Sequence, residues 1–232
     1  IQCCFIGLLP ASTSLMAVVL APHAHRVAVA ALLIGAVGQL VFGVFRSGGM
    51  WRGARDLTTI TPVLFLPTVA GNLISAIAAG VLGFSSWGVL FFGIGFFNWI
   101  VMESVILVRL WTGPALPEAL RPTLGIQLAP PVVATVAYLV NTRGVPDLFV
   151  QAMWGYGLFQ LLMLLRLMPW VAKQPFAPSY WAFSFGVTAI ATGALLMTLR
   201  GGEGAIPSLA PGIFVLANVV MAALVIGTVM RL

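Results

Sequence analysis

The chain has 232 residues, of which 61% are hydrophobic and 7% are charged, and its formal net charge is +6. Its mean hydropathy is +1.10, which excludes a soluble protein because too little polar surface would remain to keep it in solution. The apolar residues form blocks of about 20, the length of a membrane-spanning helix, rather than the short alternating strands of an outer-membrane barrel. We therefore predict an all-α integral membrane protein whose residues 1–232 form a single transmembrane domain.

Eight apolar spans follow one another along the chain. They cover residues 2–20, 27–45, 61–82, 88–108, 123–140, 148–167, 178–199 and 211–230. Alternate loops, together with the C-terminal end, hold eight of the eleven basic residues. These are Arg46, Arg52, Arg55, Arg109, Arg121, Arg166, Lys173 and Arg231. Since basic loops stay on the cytoplasmic side, we predict a cytoplasmic C-terminus, and we interpret the positive charge as orientation rather than as a sign of a nucleic-acid partner.

The odd-numbered spans contain helix breakers, whereas the even-numbered spans contain no internal proline. The breakers are Pro10, Pro67, the pair Pro130 and Pro131, and Gly186. Pro10, Pro67, Pro130 and Gly186 are separated by 57, 63 and 56 residues, which predicts one helical hairpin repeated four times. A proline inside a helix frees backbone groups that hydrocarbon cannot satisfy. We therefore expect the odd spans to face a shared protein interior or a water-filled path, and the even spans to face lipid or partner subunits.

Few polar side chains lie within the spans. Glu103 is the one acidic residue in a span, where a charge costs at least about 2.5 kcal/mol. It is either a proton or ion relay, or a carboxyl paired structurally near Arg109. Asn72 and Gln127 lie close to the breakers of the third and fifth spans. Their amides either satisfy freed backbone groups or contact a permeant ion.

Enzyme chemistry has no basis in this sequence. It contains no nucleotide-binding glycine motif, no Ser/His/Asp arrangement and no carboxylate pair, so we expect neither enzymatic activity nor a cofactor. His23 and His25 form an H-x-H pair without a third ligand, which is typical of a headgroup-region loop rather than of a metal site. Arg52 and Arg55 either attract anions to a pore mouth or simply set the orientation of the chain.

Five runs of sequence occur in order along the chain. They are FLPTVAGN (65–72), LRPTLGIQLAP (120–130), WGYG (154–157), LLRLMPW (164–170) and QPFAPSYWAFSFG (174–186). These runs resemble the TehA branch of the tellurite-resistance/dicarboxylate transporter family, which includes the plant guard-cell slow anion channels. The resemblance covers essentially the whole chain, and it departs from the family at Ser104, where the TehA branch usually has proline after the glutamate.

The resemblance implies ten helices in five hairpins about a quasi-fivefold axis, with inner helices lining a pore, and a homotrimer with one pore per subunit. It implies an anion channel of the bacterial inner membrane, associated with tellurite resistance, whose pore is blocked by a phenylalanine of the ninth helix. That residue is Phe185 here, the second phenylalanine of WAFSFG. The eight spans resemble helices three to ten, so we expect two more helices to be encoded before Ile1.

A pore lined by such spans would hold anions weakly, because no Lys or Arg lies in the odd spans. Selectivity would then come from a weak positive potential, from helix termini and backbone donors, and from the cost of dehydration, which favours easily dehydrated monovalent anions. Gating would require Phe185 to rotate, with Gly186 and the nearby prolines supplying backbone latitude. Two other functions remain open. One is a proton-coupled exporter of C4-dicarboxylates, sulfite or toxic oxyanions with Glu103 as coupling acid; the other is a non-transporting membrane scaffold.

Overall fold

A computed structural model describes residues 2–53 and 56–231. The described residues form eight α-helices and no β-strand, which confirms the predicted all-α class. The helices are α1 (Leu8–Leu20), α2 (His25–Trp51), α3 (Gly71–Val81), α4 (Ser85–Thr112), α5 (Ala129–Asn141), α6 (Leu148–Val171), α7 (Ala182–Leu199) and α8 (Ala205–Val229). Within this part of the chain, seven helical segments are long and apolar enough to cross a membrane, and the first, Cys4–Leu20, is apolar but shorter.

Each odd-numbered helix follows a stretch of tighter or wider helical turns. The preceding segments are the 3-10 turns Gln2–Gly7, Pro62–Leu64, Glu118–Leu128 and Pro178–Trp181, with the π turn Leu66–Ala70 added before α3. The predicted breakers lie at or near these changes of helix type: Pro10 and Pro130 are in the first turns of α1 and α5, and Pro67 is in the π turn. Proline costs least at the start of a helix, where its missing N–H needs no intrahelical partner.

The even-numbered helices are continuous and longer than predicted, with 27, 28, 24 and 25 residues. At 1.5 Å per residue they reach about 36–42 Å, more than the roughly 30 Å of a hydrocarbon core. The prediction that they contain no internal proline is wrong, because α6 continues through Pro169 and α8 begins before Pro211. Their end turns are less apolar than their centres, so hydropathy alone does not mark where the helices stop.

Burial separates the broken helices from the continuous ones. In the segments Pro62–Val81 and Glu118–Asn141, 78% and 89% of the apolar window is buried, against 22% to 39% in the four even helices. The segment Pro178–Leu199 is intermediate at 44%. The even helices expose large apolar side chains such as Phe97, which is 70% exposed. The third and fifth broken spans therefore lie inside the protein and the continuous helices expose apolar surface, as predicted. The first broken span does not follow this pattern, because Leu9 and Val19 of α1 are 76% and 58% exposed.

The chain divides into two compact units. One contains α1 to α4, through Pro114, together with Val140–Arg143; the other contains Ala115–Leu139 and the chain from Gly144 onward. In the first unit α1 packs against α2 and α3 against α4, and in the second α7 packs against α8. A Cβ added at Gly157 of α6 would overlap Val132 of α5, so these helices also meet closely. Consecutive helices therefore pair as the hairpin repeat predicts, and the single transmembrane domain stays a prediction.

A capped turn starts α6. One carboxylate oxygen of Asp147 accepts a hydrogen bond from the Val150 backbone N–H at 3.0 Å, and the other accepts one from the Tyr138 hydroxyl. The Gln151 side chain donates to the Pro146 carbonyl at 2.9 Å. The Tyr138 hydrogen bond, followed by the Val150 backbone bond, lowers the pKa of the Asp147 carboxyl below its ordinary value.

Replacing Asp147 with Ala removes this cap, and we expect a loss of about 1 kcal/mol of folding stability at neutral pH. Asp147→Asn should lose less, because asparagine also caps helices. Folding lowers the pKa of Asp147. The folding stability that the Asp147 carboxylate contributes is therefore fully present above the unfolded pKa of 3.8, and it is lost as the pH falls through the lower folded pKa. Thermal unfolding in detergent measures both effects, and equal stability of wild type and Asp147→Ala at neutral pH would contradict the assignment.

Candidate functional site

A side chain of a neighbouring helix pairs with a backbone carbonyl that the break in the third span leaves without a helical partner. The Gln39 amide of α2 donates to the Pro67 carbonyl oxygen, with a nitrogen–oxygen distance of 2.6 Å. Gln39 is fully buried, and Gly71 makes room for it, since a Cβ at that position would collide with the Gln39 amide. An unpaired carbonyl here would cost roughly 1–3 kcal/mol. Gln39 is not among the predicted site residues, although an isolated amide in the apolar span 27–45 is itself a signal of a helix–helix hydrogen bond.

Asn72 also serves the broken backbone. Its side-chain nitrogen donates to the Thr68 carbonyl at 2.7 Å, and the residue is buried. Within the described residues the Asn72 Oδ1 atom has no hydrogen-bond partner. A carbonyl oxygen repels an anion, so the Asn72 amide in this geometry stabilises the turn rather than offering a donor. Contact between Asn72 and a permeant ion stays a prediction.

Helix α2 lies directly over the breakers of α1 and the π turn because it carries glycine there. A Cβ added at Gly35 would lie 2.7 Å from the Pro10 carbonyl oxygen, and one added at Gly43 would lie 3.0 Å from the Pro67 carbonyl oxygen. The small residues let the helix backbones approach closely. The π turn around Pro67 is therefore covered by protein, whereas the start of α1 is covered only where it meets α2, since Leu9 beside Pro10 is 76% exposed.

The fifth span is the most buried of the broken spans. Gln127 lies just ahead of α5 and is 4% exposed, so its amide is enclosed by protein. Pro130 and Pro131 occupy the first turn of α5, and the Pro131 carbonyl accepts a hydrogen bond from the buried Thr135 hydroxyl at 2.9 Å. Whether the Gln127 amide serves freed backbone groups or a permeant ion stays a prediction.

Gly186 is a close-packing position on α7. A Cβ there would lie 2.8 Å from Leu128 Cγ, and a Cβ at Gly125 would lie 2.8 Å from the Phe183 ring. The α7 backbone is regular α-helix from Ala182 to Leu199, so Gly186 marks no break in it. The prediction that Gly186 gives the backbone conformational freedom is therefore not supported by the structure. Instead, the absence of a side chain at Gly186 allows α7 to approach Leu128.

Phe183 and Phe185 have different surroundings. Phe183 is 5% exposed and packs against Gly125, whereas Phe185 is only partly buried. Side chains two positions apart in an α-helix differ in direction by about 200°, so the rings of Phe183 and Phe185 leave α7 on nearly opposite sides. The Thr188 hydroxyl donates to the carbonyls of Ser184 and Phe185, at 2.9 and 3.2 Å. Phe185 is thus not required for the packing of α7 against Gly125, and its gating role stays a prediction.

Glu103 is buried in α4 and is 7% exposed. Its carboxylate accepts a hydrogen bond from the Trp99 indole N–H, one turn earlier in the same helix, at 3.2 Å. The buried Arg109 instead donates to the Pro114 carbonyl at 2.9 Å. The structure therefore gives the Glu103 carboxylate a structural hydrogen bond, which it accepts from an indole within α4.

The other predicted polar features lie at the ends of the helices. Arg52 is exposed at the C-terminal end of α2, and Arg55 lies outside the described residues. In residues 2–53 and 56–231, no three or more His, Cys, Asp and Glu side chains are grouped so that they could hold a metal ion.

Paired helices with buried, uncharged broken spans define the class of protein, which is a multi-pass α-helical membrane protein. The model of the SLAC1 family, described as voltage-dependent anion channel, matches residues 1–229. The chain belongs to this family. Membership confirms the relationship to the TehA branch and the plant anion channels that the sequence motifs indicate.

Three named relatives match the chain. The tellurite resistance protein TehA homolog of Haemophilus influenzae is 36% identical over 229 residues, which is 98% of this chain and 69% of the relative. An uncharacterised transporter of Methanocaldococcus jannaschii is 26% identical over 67% of this chain and 51% of its own length. The S-type anion channel SLAH3 of Arabidopsis thaliana is 26% identical over 69% of this chain and 24% of its own length. None of these three is named as an enzyme.

Gly71→Ala should destabilise the protein by roughly 1–3 kcal/mol, the cost of a lost buried hydrogen bond. The new methyl group would displace Gln39 and leave the Pro67 carbonyl unpaired. Gly93→Ala is the matched control, because no atom lies within 4 Å of a Cβ built at Gly93. Thermal unfolding of the two variants in detergent measures the difference. Equal melting temperatures would show that the Gln39 contact does not stabilise the π turn.

Proposed function

We propose that this chain forms most of an anion channel that conducts small monovalent anions along its broken helices. The observation that supports this most strongly is the burial of the broken third and fifth spans, 78% and 89% of whose apolar windows are enclosed, although they carry no ionisable side chain other than the weakly acidic Tyr138 phenol. Buried irregular backbone in a membrane is tolerated where it is packed in protein or lines a water-filled cavity. Family membership and the Arabidopsis relative named as an anion channel supply the substrate class.

The residues of the broken spans are suited to binding a permeating anion weakly. Conduction requires binding that is strong enough for entry and weak enough for release. An ion beside residues 61–82 or 123–140 would meet hydroxyls, amides and backbone groups but no ammonium or guanidinium group. The cost of removing water from the ion then dominates, so we expect nitrate and chloride to pass better than strongly hydrated divalent anions.

Phe185 is the proposed gate. It is partly buried, and it is directed away from the Phe183 contact with Gly125, so its ring can change rotamer without dismantling that contact. Rotamer changes of a phenylalanine require no movement of the helix backbone. The gate would therefore be a side-chain event, with the close contact of Gly186 and Leu128 keeping α7 in place.

The assembly and location follow from the same proposal. A homotrimer in the bacterial inner membrane, with the C-terminus in the cytoplasm, accords with the exposed apolar surfaces of the even helices and with the distribution of basic residues. The name of the TehA homolog suggests an association with tellurite resistance. Because the chain spans 69% of that relative and about half or less of the other two, these assignments concern the whole protein.

The test of the proposed gate is Phe185→Ala in the full-length protein reconstituted in liposomes. Removing the ring should raise chloride and nitrate flux relative to wild type. Phe183→Ala is the matched control, since it removes the same ring from a packing position and should lower stability without raising flux. No increase in flux for well-expressed Phe185→Ala would show that this residue is not the plug.

A proton-coupled exporter is the second candidate, and the buried carboxyl of Glu103 is the observation that favours it. An acid enclosed in a membrane helix is a common carrier of protons in transporters. The Trp99 hydrogen bond gives the same carboxyl a structural use, which is why we place the exporter second.

Glu103→Gln separates the two functions. Glutamine keeps an oxygen that can accept the Trp99 hydrogen bond, so the fold should be retained. If the protein is a channel, anion flux down a gradient should be unchanged and independent of a proton gradient. Loss of proton-driven accumulation in this variant would instead identify a coupled exporter.

A further inference from the structure

A basic and aromatic cluster lies at the C-terminal end of α6. The guanidinium carbon of Arg121 is 4.5 Å from the centre of the Trp170 ring, and Arg121 Nη1 is 3.2 Å from Glu118 Oε1. Among the described residues, Arg121 Nε is buried and has no hydrogen-bond partner. The indole and the carboxylate therefore fix the guanidinium in one orientation and leave donor capacity unused.

Two further cations flank Trp170 in the sequence. Arg166 and Trp170 are spaced i and i+4 in α6, which places their side chains on one face of the helix, and Lys173 follows in the turn just after α6 ends at Val171. Arg166 and Lys173 are exposed. Three cations and the one carboxylate of Glu118 leave this cluster, which we call the α6 basic cluster, with a net charge of +2.

The turn that carries Lys173 is held in place. The Tyr180 hydroxyl lies 3.1 Å from both the Val171 and the Gln174 carbonyl oxygens, and the Phe176 and Tyr180 rings are stacked with centroids 5.3 Å apart. The α6 basic cluster is therefore supported on both sides, by Arg121 stacked on Trp170 and by Tyr180 beneath the turn. Such support reduces the entropy lost when the cluster binds a ligand.

The same face of α6 continues toward its N-terminus as apolar surface. Phe159 and Leu162 precede Arg166 by about two turns and one turn, and they are 56% and 57% exposed. Helix α6 is among the helices long and apolar enough to cross a membrane, and a tryptophan near the end of such a helix is typical of the headgroup region. The order along this face is thus apolar surface, then a cation and an indole, and a second cation lies in the turn that follows the helix.

We propose that the α6 basic cluster binds the phosphate of an anionic phospholipid, with the acyl chains lying along Phe159 and Leu162. Arg166 and Lys173 would contact the phosphate directly, and the oriented Arg121 would supply a further donor, because guanidinium groups suit phosphate oxygens. Basic pockets at the ends of membrane helices are known to favour anionic headgroups. Soluble phosphate offers the same oxygens, but it would make no use of the apolar surface.

The purified protein in neutral detergent tests this with phosphatidylglycerol, phosphatidylcholine and inorganic phosphate as separate probes. Native mass spectrometry counts bound lipid, and a titration gives its affinity. Wild type should bind phosphatidylglycerol more tightly than phosphatidylcholine. Each cation is expected to contribute about fivefold in affinity, so the double variant Arg166→Gln with Lys173→Gln should bind phosphatidylglycerol on the order of 25-fold more weakly. Arg143→Gln removes an exposed cation from the loop before α6 and should leave the affinity unchanged, as should the charge-keeping pair Arg166→Lys with Lys173→Arg.

Three results would overturn the proposal. They are equal affinities of wild type for the two lipids, an unchanged affinity in the double glutamine variant, and inorganic phosphate that binds as tightly as phosphatidylglycerol and displaces it. The last result would assign the α6 basic cluster to a soluble anion. These measurements do not require conduction, so they stand apart from the test of the channel.

Discussion

The structure depends on one constraint, which is that every backbone polar group buried in a membrane must find a partner within the protein. Continuous helices such as α2 and α4 meet it with their own hydrogen bonds. The broken spans cannot, because 3-10 and π turns and prolines disturb the regular pattern. Gln39 supplies the missing donor to the Pro67 carbonyl, and Asn72 supplies one to Thr68. This explains why the broken spans are buried and why the helix beside them carries glycine and a single amide.

The same constraint explains how far the fold could be predicted from sequence. Hydropathy blocks and spaced breakers predicted the eight helices, their pairing and the separation of buried from exposed spans, because each follows from solubility in lipid. Helix ends could not be placed, since residues such as 46–51 of α2 lie beyond the apolar block and form helix without a hydropathy signal. For the same reason, the predicted sixth span ends before Pro169 and the predicted eighth span starts at Pro211, inside the helix that the structure shows.

The contacts of the site residues were harder to predict, because they depend on side-chain rotamers and on packing between helices. Glu103 stood out as a lone acid, but its hydrogen bond from Trp99 depends on rotamers that no motif encodes. Gly186 was noticed as a breaker, yet Leu128 against it gives it a packing role. The motif resemblance selected Phe185 over Phe183, and the different burial of the two rings accords with that choice without deciding what Phe185 does.

The proposed channel requires that the broken helices, and Phe185 in particular, line a path for anions. Cysteine labelling tests it most directly, because only a thiol that can ionise in water reacts readily with a charged reagent. In a background without Cys3 and Cys4, Phe185→Cys should react with a small anionic methanethiosulfonate, and the reaction should alter anion flux. A cysteine at Phe97 on the exposed face of α4 should not react. Failure of Phe185→Cys to react, or reaction without any effect on flux, would contradict the account.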